Sequence, residues 1–259
     1  MPTLLDGARS AAEVGRRRPP GSFTQELWGS ASDVFAKIVE HPFIVGLVDG
    51  GLDRGCFIQF LQQDHQYLEA YARCLNLLAV KSPRPDWSRL FTRHAGDAIA
   101  AEEELQAQLL EALGSAGADR AGSLASIVSA PIVPAPIVPA PIVPAPTTLA
   151  YTSHLIANCY GGSFVEALAT ILPCYWVYAE VGSVLQSVGS ADPLYGKWID
   201  SYAGSEYTAV VTSVLEVADE LGRQVGDGDR RRCIELYRIG TQLEWMFWDA
   251  AYRRETWPV

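Results

Sequence analysis

From Ser22 to Arg253 the apolar residues recur three and four positions apart, and nowhere does apolar–polar alternation run long enough to make a strand. A repeat near 3.6 residues lays those side chains along one stripe of a helix, which must be buried against other helices. The chain is therefore read as all-α, a bundle of about eight helices.

Local signals set the expected boundaries. Ser22 with Gln25 reads as a capping box opening a helix whose apolar side is Phe23, Leu27, Ala31, Val34, Phe35 and Ile38. His41-Pro42 ends it, and a short apolar piece runs to Asp49-Gly50-Gly51. A long helix is expected over 53–80 and stops at the Pro83/Pro85 cluster; a third is expected from Trp87 to Leu113. Beyond the double glycine 161–162, Ser163 and Glu166 form a second capping box for a helix to about Ser187, with Pro173 in its interior. Asp192-Pro193 starts a short helix, Ser205 the next, and the last spans about 229–253.

Two segments stand apart. Residues 1–21, rich in Gly, Arg and Pro, read as a disordered tail before one helical domain over 22–254. Ala130 to Pro146 spells APIVP three times and then AP. Prolines at that density forbid helix and central strand, so an extended surface loop is expected, a tolerated expansion before a docking strip.

A formal net charge of -10 argues against a nucleic-acid partner, which needs clustered Lys and Arg. The cluster Arg16, Arg17 and Arg18 reads as part of the solvated tail. No apolar run approaches the roughly 18 residues of a membrane span, and no secretory leader is visible. Five cysteines, Cys56, Cys74, Cys159, Cys174 and Cys233, never form a CxxC pair. They fit reduced thiols of a cytoplasmic protein without a zinc site.

Function should show as polar groups on apolar helix faces. Phe60, Asp64, Tyr67 and Tyr71 share one face, where an unpaired carboxylate is costly unless a ligand grips it. An amidine-like heterocycle edge would do so; an acid on the rim of the stripe is the plainer alternative. Glu244 lies among Gly240, Phe247, Trp248 and Ala251, so desolvation should raise its pKa and suit it to proton transfer near neutrality. Cys174 follows Pro173 and has Tyr178 one turn on. On its residues alone it reads first as a small core hydrophobe. Some of the many tyrosines could line a cavity for a flat aromatic ligand. No GxSxG, phosphate-binding loop or dinucleotide fingerprint occurs, and His is too sparse for a di-iron carboxylate bundle.

The strings HPFIVGLVDGGL (41–52), FIQFLQQDHQYLEAYAR (57–73), PTTLAYTSHL (146–155), LPCYWVYAEVG (172–182), KWIDSYAGSEY (197–207) and EWMFWDAAY (244–252) occur in this order. Together they resemble the TenA family, the thiaminase II type of the haem-oxygenase-like helical fold. QDxxYL, PCxWxYxE and ExxFWD are the specific parts. The resemblance implies Cys174 as nucleophile and Glu244 as acid/base. It implies Asp64 as holder of the pyrimidine's amino group and ring nitrogen, with Tyr67, Tyr151, Tyr178 and Tyr202 around the ring. It further implies no cofactor or metal, a homotetramer, and a substrate that is either an aminomethyl aminopyrimidine or thiamin. The N-terminal tail and the APIVP repeat depart from the family pattern. A PqqC-type oxidase and a non-catalytic pyrimidine-binding or regulatory protein are the rival readings.

Overall fold

The computed structural model describes residues 5–100 and 143–259. Among these residues the all-α reading holds, with no strand. The helices are α1 (Gly7–Arg17), α2 (Phe23–Val39), α3 (Pro42–Asp49), α4 (Arg54–Lys81), α5 (85–100, as far as it is described), α6 (Pro146–Gly161), α7 (Phe164–Gln186), α8 (Pro193–Ala203), α9 (Ser205–Gly222) and α10 (Asp227–Tyr252). The expected continuation of α5 to Leu113 and most of the APIVP repeat lie outside the described residues.

Capping chemistry places the ends. At Ser163 both halves of the capping box form, the hydroxyl accepting from Glu166 N and the Glu166 carboxylate accepting from Ser163 N. At Ser22 only half forms: its hydroxyl accepts from Gln25 N, while Gln25 Oε1 reaches one residue further to Gly21 N. Asp192 caps α8 with Pro193 in its first turn. His41-Pro42 is both a stop and a start, since His41 Nδ1 accepts from Phe43 N and Pro42 opens α3.

Over its described residues, 5–21, the segment expected to be disordered instead carries helix α1. Asp6 caps it, and Gly7, Ala11 and Val14 form a narrow apolar stripe that is buried. Ala11 O also accepts the Trp28 indole N–H at 2.9 Å. Of the three arginines, Arg16 and Arg17 remain exposed and Arg18 is drawn into the fold. Arg17 pairs with Glu180, and Arg18 donates to Asp219 at 2.8 Å and to Thr24 at 2.9 Å. Scarce apolar residues hid this helix, because its burial needs only three small positions.

Helix α7 is the centre of the bundle and packs along α10, α8, α6 and α9. It is long and apolar enough to cross a membrane, contrary to the sequence reading, yet 78% of its apolar window is buried by the other helices, which marks it as the core helix. Gly240 of α10 lies where a Cβ would sit 2.7 Å from the Pro173 ring, so glycine is what lets α10 cross α7 at the turn before Cys174. Gly182 does the same for α8, with Tyr202 backbone 2.8 Å from a would-be Cβ. Trp176, Trp198 and Trp248 are fully buried around these crossings, each contributing about 3 kcal/mol of apolar burial.

Candidate active site

The crossings of α4, α5, α7, α8 and α9 enclose a cavity of about 250 Å³. Asp64, Cys174, Tyr178 and Tyr202 line it, as the sequence suggested. Tyr67, Tyr151 and Glu244 do not reach its wall. They form a buried layer beside it, with Tyr67 stacked on Tyr71 at 5.7 Å and tilted against Tyr151 at 4.8 Å. All seven candidates are thus brought into one region, in two layers.

Asp64 is 3% exposed, and its Oδ2 is buried without a hydrogen-bond partner. Burial alone pushes its pKa up to about 7. A buried carboxyl with an unpartnered oxygen, its pKa raised toward neutrality, suits a ligand edge that offers one donor beside one acceptor. Two hydrogen bonds then form whichever partner holds the proton.

Glu244 is 1% exposed and accepts a hydrogen bond from the Tyr151 hydroxyl at 2.5 Å. Its pKa rises to about 8, first through burial and further through the charge of Asp64, while the Tyr151 hydroxyl pulls it back. This is the direction expected from its apolar helix face.

Cys174 is half-buried and opens onto the cavity. Its thiol is held protonated well above the ordinary range, through burial and then through Glu244. The Tyr67 and Tyr71 hydroxyls oppose that shift. The Tyr67 hydroxyl makes no well-formed hydrogen bond, but it faces Cys174 and Tyr151 closely enough to favour their ionised forms.

The backbone around Cys174 is held from two sides. Pro173 removes one helical N–H donor. The Tyr71 hydroxyl donates to Ile171 O at 3.2 Å, and the Tyr207 hydroxyl lies 3.3 Å from Cys174 O and 3.2 Å from Tyr175 O. Tyr71, Tyr175 and Tyr207, three of the tyrosines from which a cavity-lining subset was expected, also line the cavity, and so do Trp198 and His94, for which no role was expected. Tyr71 carried a signal, since it shares the face of Asp64 and Tyr67. His94, buried and bonded to the Tyr175 hydroxyl at 2.9 Å, carried none.

The aromatic walls are continuous. Tyr178 meets Tyr202 at 4.9 Å and Trp248 at 5.0 Å, and Trp198 meets Tyr202 at 5.0 Å. A flat ring entering here meets tyrosine faces on one side and the thiol and Asp64 on another.

Known proteins resemble this chain over most of its length. An aminopyrimidine aminohydrolase of Halalkalibacterium halodurans is 30% identical over 238 residues, covering 91% of this chain and 98% of its own length. The thiamine biosynthesis multifunctional protein ThiED of Corynebacterium efficiens is 31% identical over 240 residues; the match spans 91% of this chain but only 29% of that larger protein. Among solved structures, a TenA homologue from P. horikoshii OT3 superposes with a TM-score of 0.72 at 25% identity, covering 90% of this chain and 99% of the other. The profile of the TENA/THI-4/PQQC family matches residues 28–120 and 139–254. The chain belongs to that family.

Proposed function

We propose that this protein is an aminopyrimidine hydrolase of the thiaminase II type. It converts 4-amino-5-aminomethyl-2-methylpyrimidine and water to the 5-hydroxymethyl compound and ammonia, or cleaves thiamin to the same pyrimidine and free thiazole. The carrying observation is the meeting, in one cavity, of a thiol, a buried carboxyl with an unpartnered oxygen and tyrosine walls, with a second buried carboxyl beside them. The relatives named aminopyrimidine aminohydrolase support the same reading.

Asp64 takes the pyrimidine's amino group and ring nitrogen while the tyrosines hold the ring. The ionised fraction of Glu244 accepts the Cys174 proton as sulfur bonds to the ring carbon beside the one bearing the methylene. A carboxylate of pKa about 8 is far better matched to a thiol than one of 4.5. The electrons displaced into the ring expel the amine, which takes that proton from Glu244 and leaves as ammonia. Water then adds to the exocyclic methylene and gives Glu244 its proton. As the ring recovers its electrons the carbon–sulfur bond breaks, and the thiolate takes the proton back.

Incubating the protein with each substrate and following ammonia and thiazole tests this reading. Binding of either compound without release of product would favour a pyrimidine-binding protein instead.

A further inference from the structure

Three of the proposed site residues sit on separate helices: Asp64 on α4, Tyr151 on α6 and Glu244 on α10. The start of α6 follows directly on the APIVP repeat, so something must fix where Tyr151 comes to rest. The structure supplies a clamp there. The Gln63 amide, next to Asp64, donates to Val143 O at 3.2 Å and accepts from Ala145 N at 2.8 Å, a two-point hold on the incoming backbone. The stretch after α10 folds back over the same residues. The Glu255 carboxylate accepts from Thr147 N at 2.8 Å, and the Trp257 indole donates to Pro144 O at 2.9 Å. Glu255 is itself tied to α4, because its carbonyl accepts from the Gln59 amide at 3.2 Å.

The four bonds made to the incoming chain all fall within the five residues 143–147. Thr147 lies one turn before Tyr151 on the same side of α6, and both are buried. A carboxylate on the first-turn N–H of a helix also binds with the favourable sense of the helix dipole. Nothing in the clamp touches the cavity, so its effect on chemistry must pass through α6.

We propose that Gln63 and Glu255 are positioning residues that lock the register of α6, so that the Tyr151 hydroxyl is held on the Glu244 carboxyl whatever the preceding repeat does. The inference rests on the proposed role of Glu244 as acid/base. Besides Tyr151, the carboxyl of Glu244 is faced by Asp64 and Tyr67 of α4, Cys174 and Tyr178 of α7, Tyr202 of α8 and Tyr207 of α9. On its own helix Tyr237 also senses it. Of these, Tyr151 is the group hydrogen-bonded to it, and that bond favours its ionised form. Loosening α6 should therefore move the titration of Glu244 upward.

The test compares Gln63→Ala, Glu255→Ala, Glu255→Gln and Tyr151→Phe in the full chain. The Glu244 pKa is read in two ways. One is the ascending limb of kcat against pH; the other, which needs no substrate, is the pH dependence of stability relative to the same background carrying Glu244→Gln. Gln63→Ala and Glu255→Ala should each raise the titration by about one pH unit and lower kcat by about tenfold, with KM little changed. Glu255→Gln keeps an oxygen for Thr147 N and should behave as wild type. Adding Tyr151→Phe to Gln63→Ala should shift the titration no further. If an alanine variant fails to fold, Trp257→Phe removes only one clamp bond and should give a smaller shift in the same direction. Lower melting temperatures with the titration unmoved would overturn the proposal, as would a change confined to KM. Absence of turnover in the wild type would instead defeat the assigned function, and the stability readout would still decide the clamp.

Discussion

Glu244→Gln should make the folded protein more stable, and only above mildly acidic pH. The cause is the linkage of proton binding to folding. In the unfolded chain the carboxyl titrates near 4.5, whereas burial raises it to about 8 in the fold. Below 4.5 both states hold the proton and the group costs nothing. Between 4.5 and 8 the unfolded chain releases a proton that the fold retains, so each pH unit weakens the fold by about 1.4 kcal/mol. Above 8 the penalty is constant and amounts at most to about 5 kcal/mol. Glutamine keeps an oxygen for the Tyr151 hydroxyl and carries no charge. Parity is therefore expected near pH 4.5, with a gap that widens to pH 8 and then stays level. At 2–4 °C per kcal/mol for a protein of this size, even half the full gap raises Tm by roughly 5–10 °C. Asp64, raised to about 7, adds its own slope to both proteins, so the difference between them reports Glu244 together with its coupling to Asp64. Thermal melts of both proteins from pH 4.5 to 9 provide the measurement. A difference that stays flat across this range would refute the account of Glu244 as a carboxyl buried at a cost.

The site makes further predictions. Asp64→Ala should chiefly weaken binding, raising KM by about 10- to 100-fold for the loss of charge-assisted hydrogen bonds, whereas Glu244→Gln should chiefly lower kcat; steady-state kinetics would expose the reverse ranking. Gly240→Ala puts a methyl 2.7 Å from the rigid Pro173 ring and should cost about 1–3 kcal/mol in denaturant unfolding, with kcat reduced because the Cys174 turn is displaced. Removing one APIVP unit should leave kcat/KM within about twofold, since residues 143–147 are held independently of what precedes them.

The sequence and the structure agree where the signal is periodic and part company where a contact is made between distant segments. Helices α2, α4, α7 and α10 follow from their apolar spacing, because a stripe of Leu, Phe and Trp admits only one burial pattern. Asp64 and Glu244 were legible for the converse reason, being charges on such stripes. Helix α1 was not, since three small residues among arginines give no stripe. Its stability comes from Trp28, Glu180 and Asp219, which are distant in sequence. Cys174 became legible only through its neighbours in a family pattern, as a half-buried thiol in an apolar helix looks like packing. The division into a cavity wall and a buried layer was invisible, because it depends on how α6 and α10 meet. The same holds for Tyr207, whose hydroxyl reaches across from α9 to the turn that carries the thiol.

The most direct test of the central claim is ammonia release from 4-amino-5-aminomethyl-2-methylpyrimidine by wild type and Cys174→Ser side by side, with thiazole release from thiamin measured in parallel. The account predicts that wild type turns over at least one of these substrates, releasing one ammonia or one thiazole for each hydroxymethyl product, and that the serine variant loses about 100-fold or more of kcat while still binding the ring. Full turnover by Cys174→Ser on both substrates, or a wild-type protein that binds both and releases nothing, would contradict it.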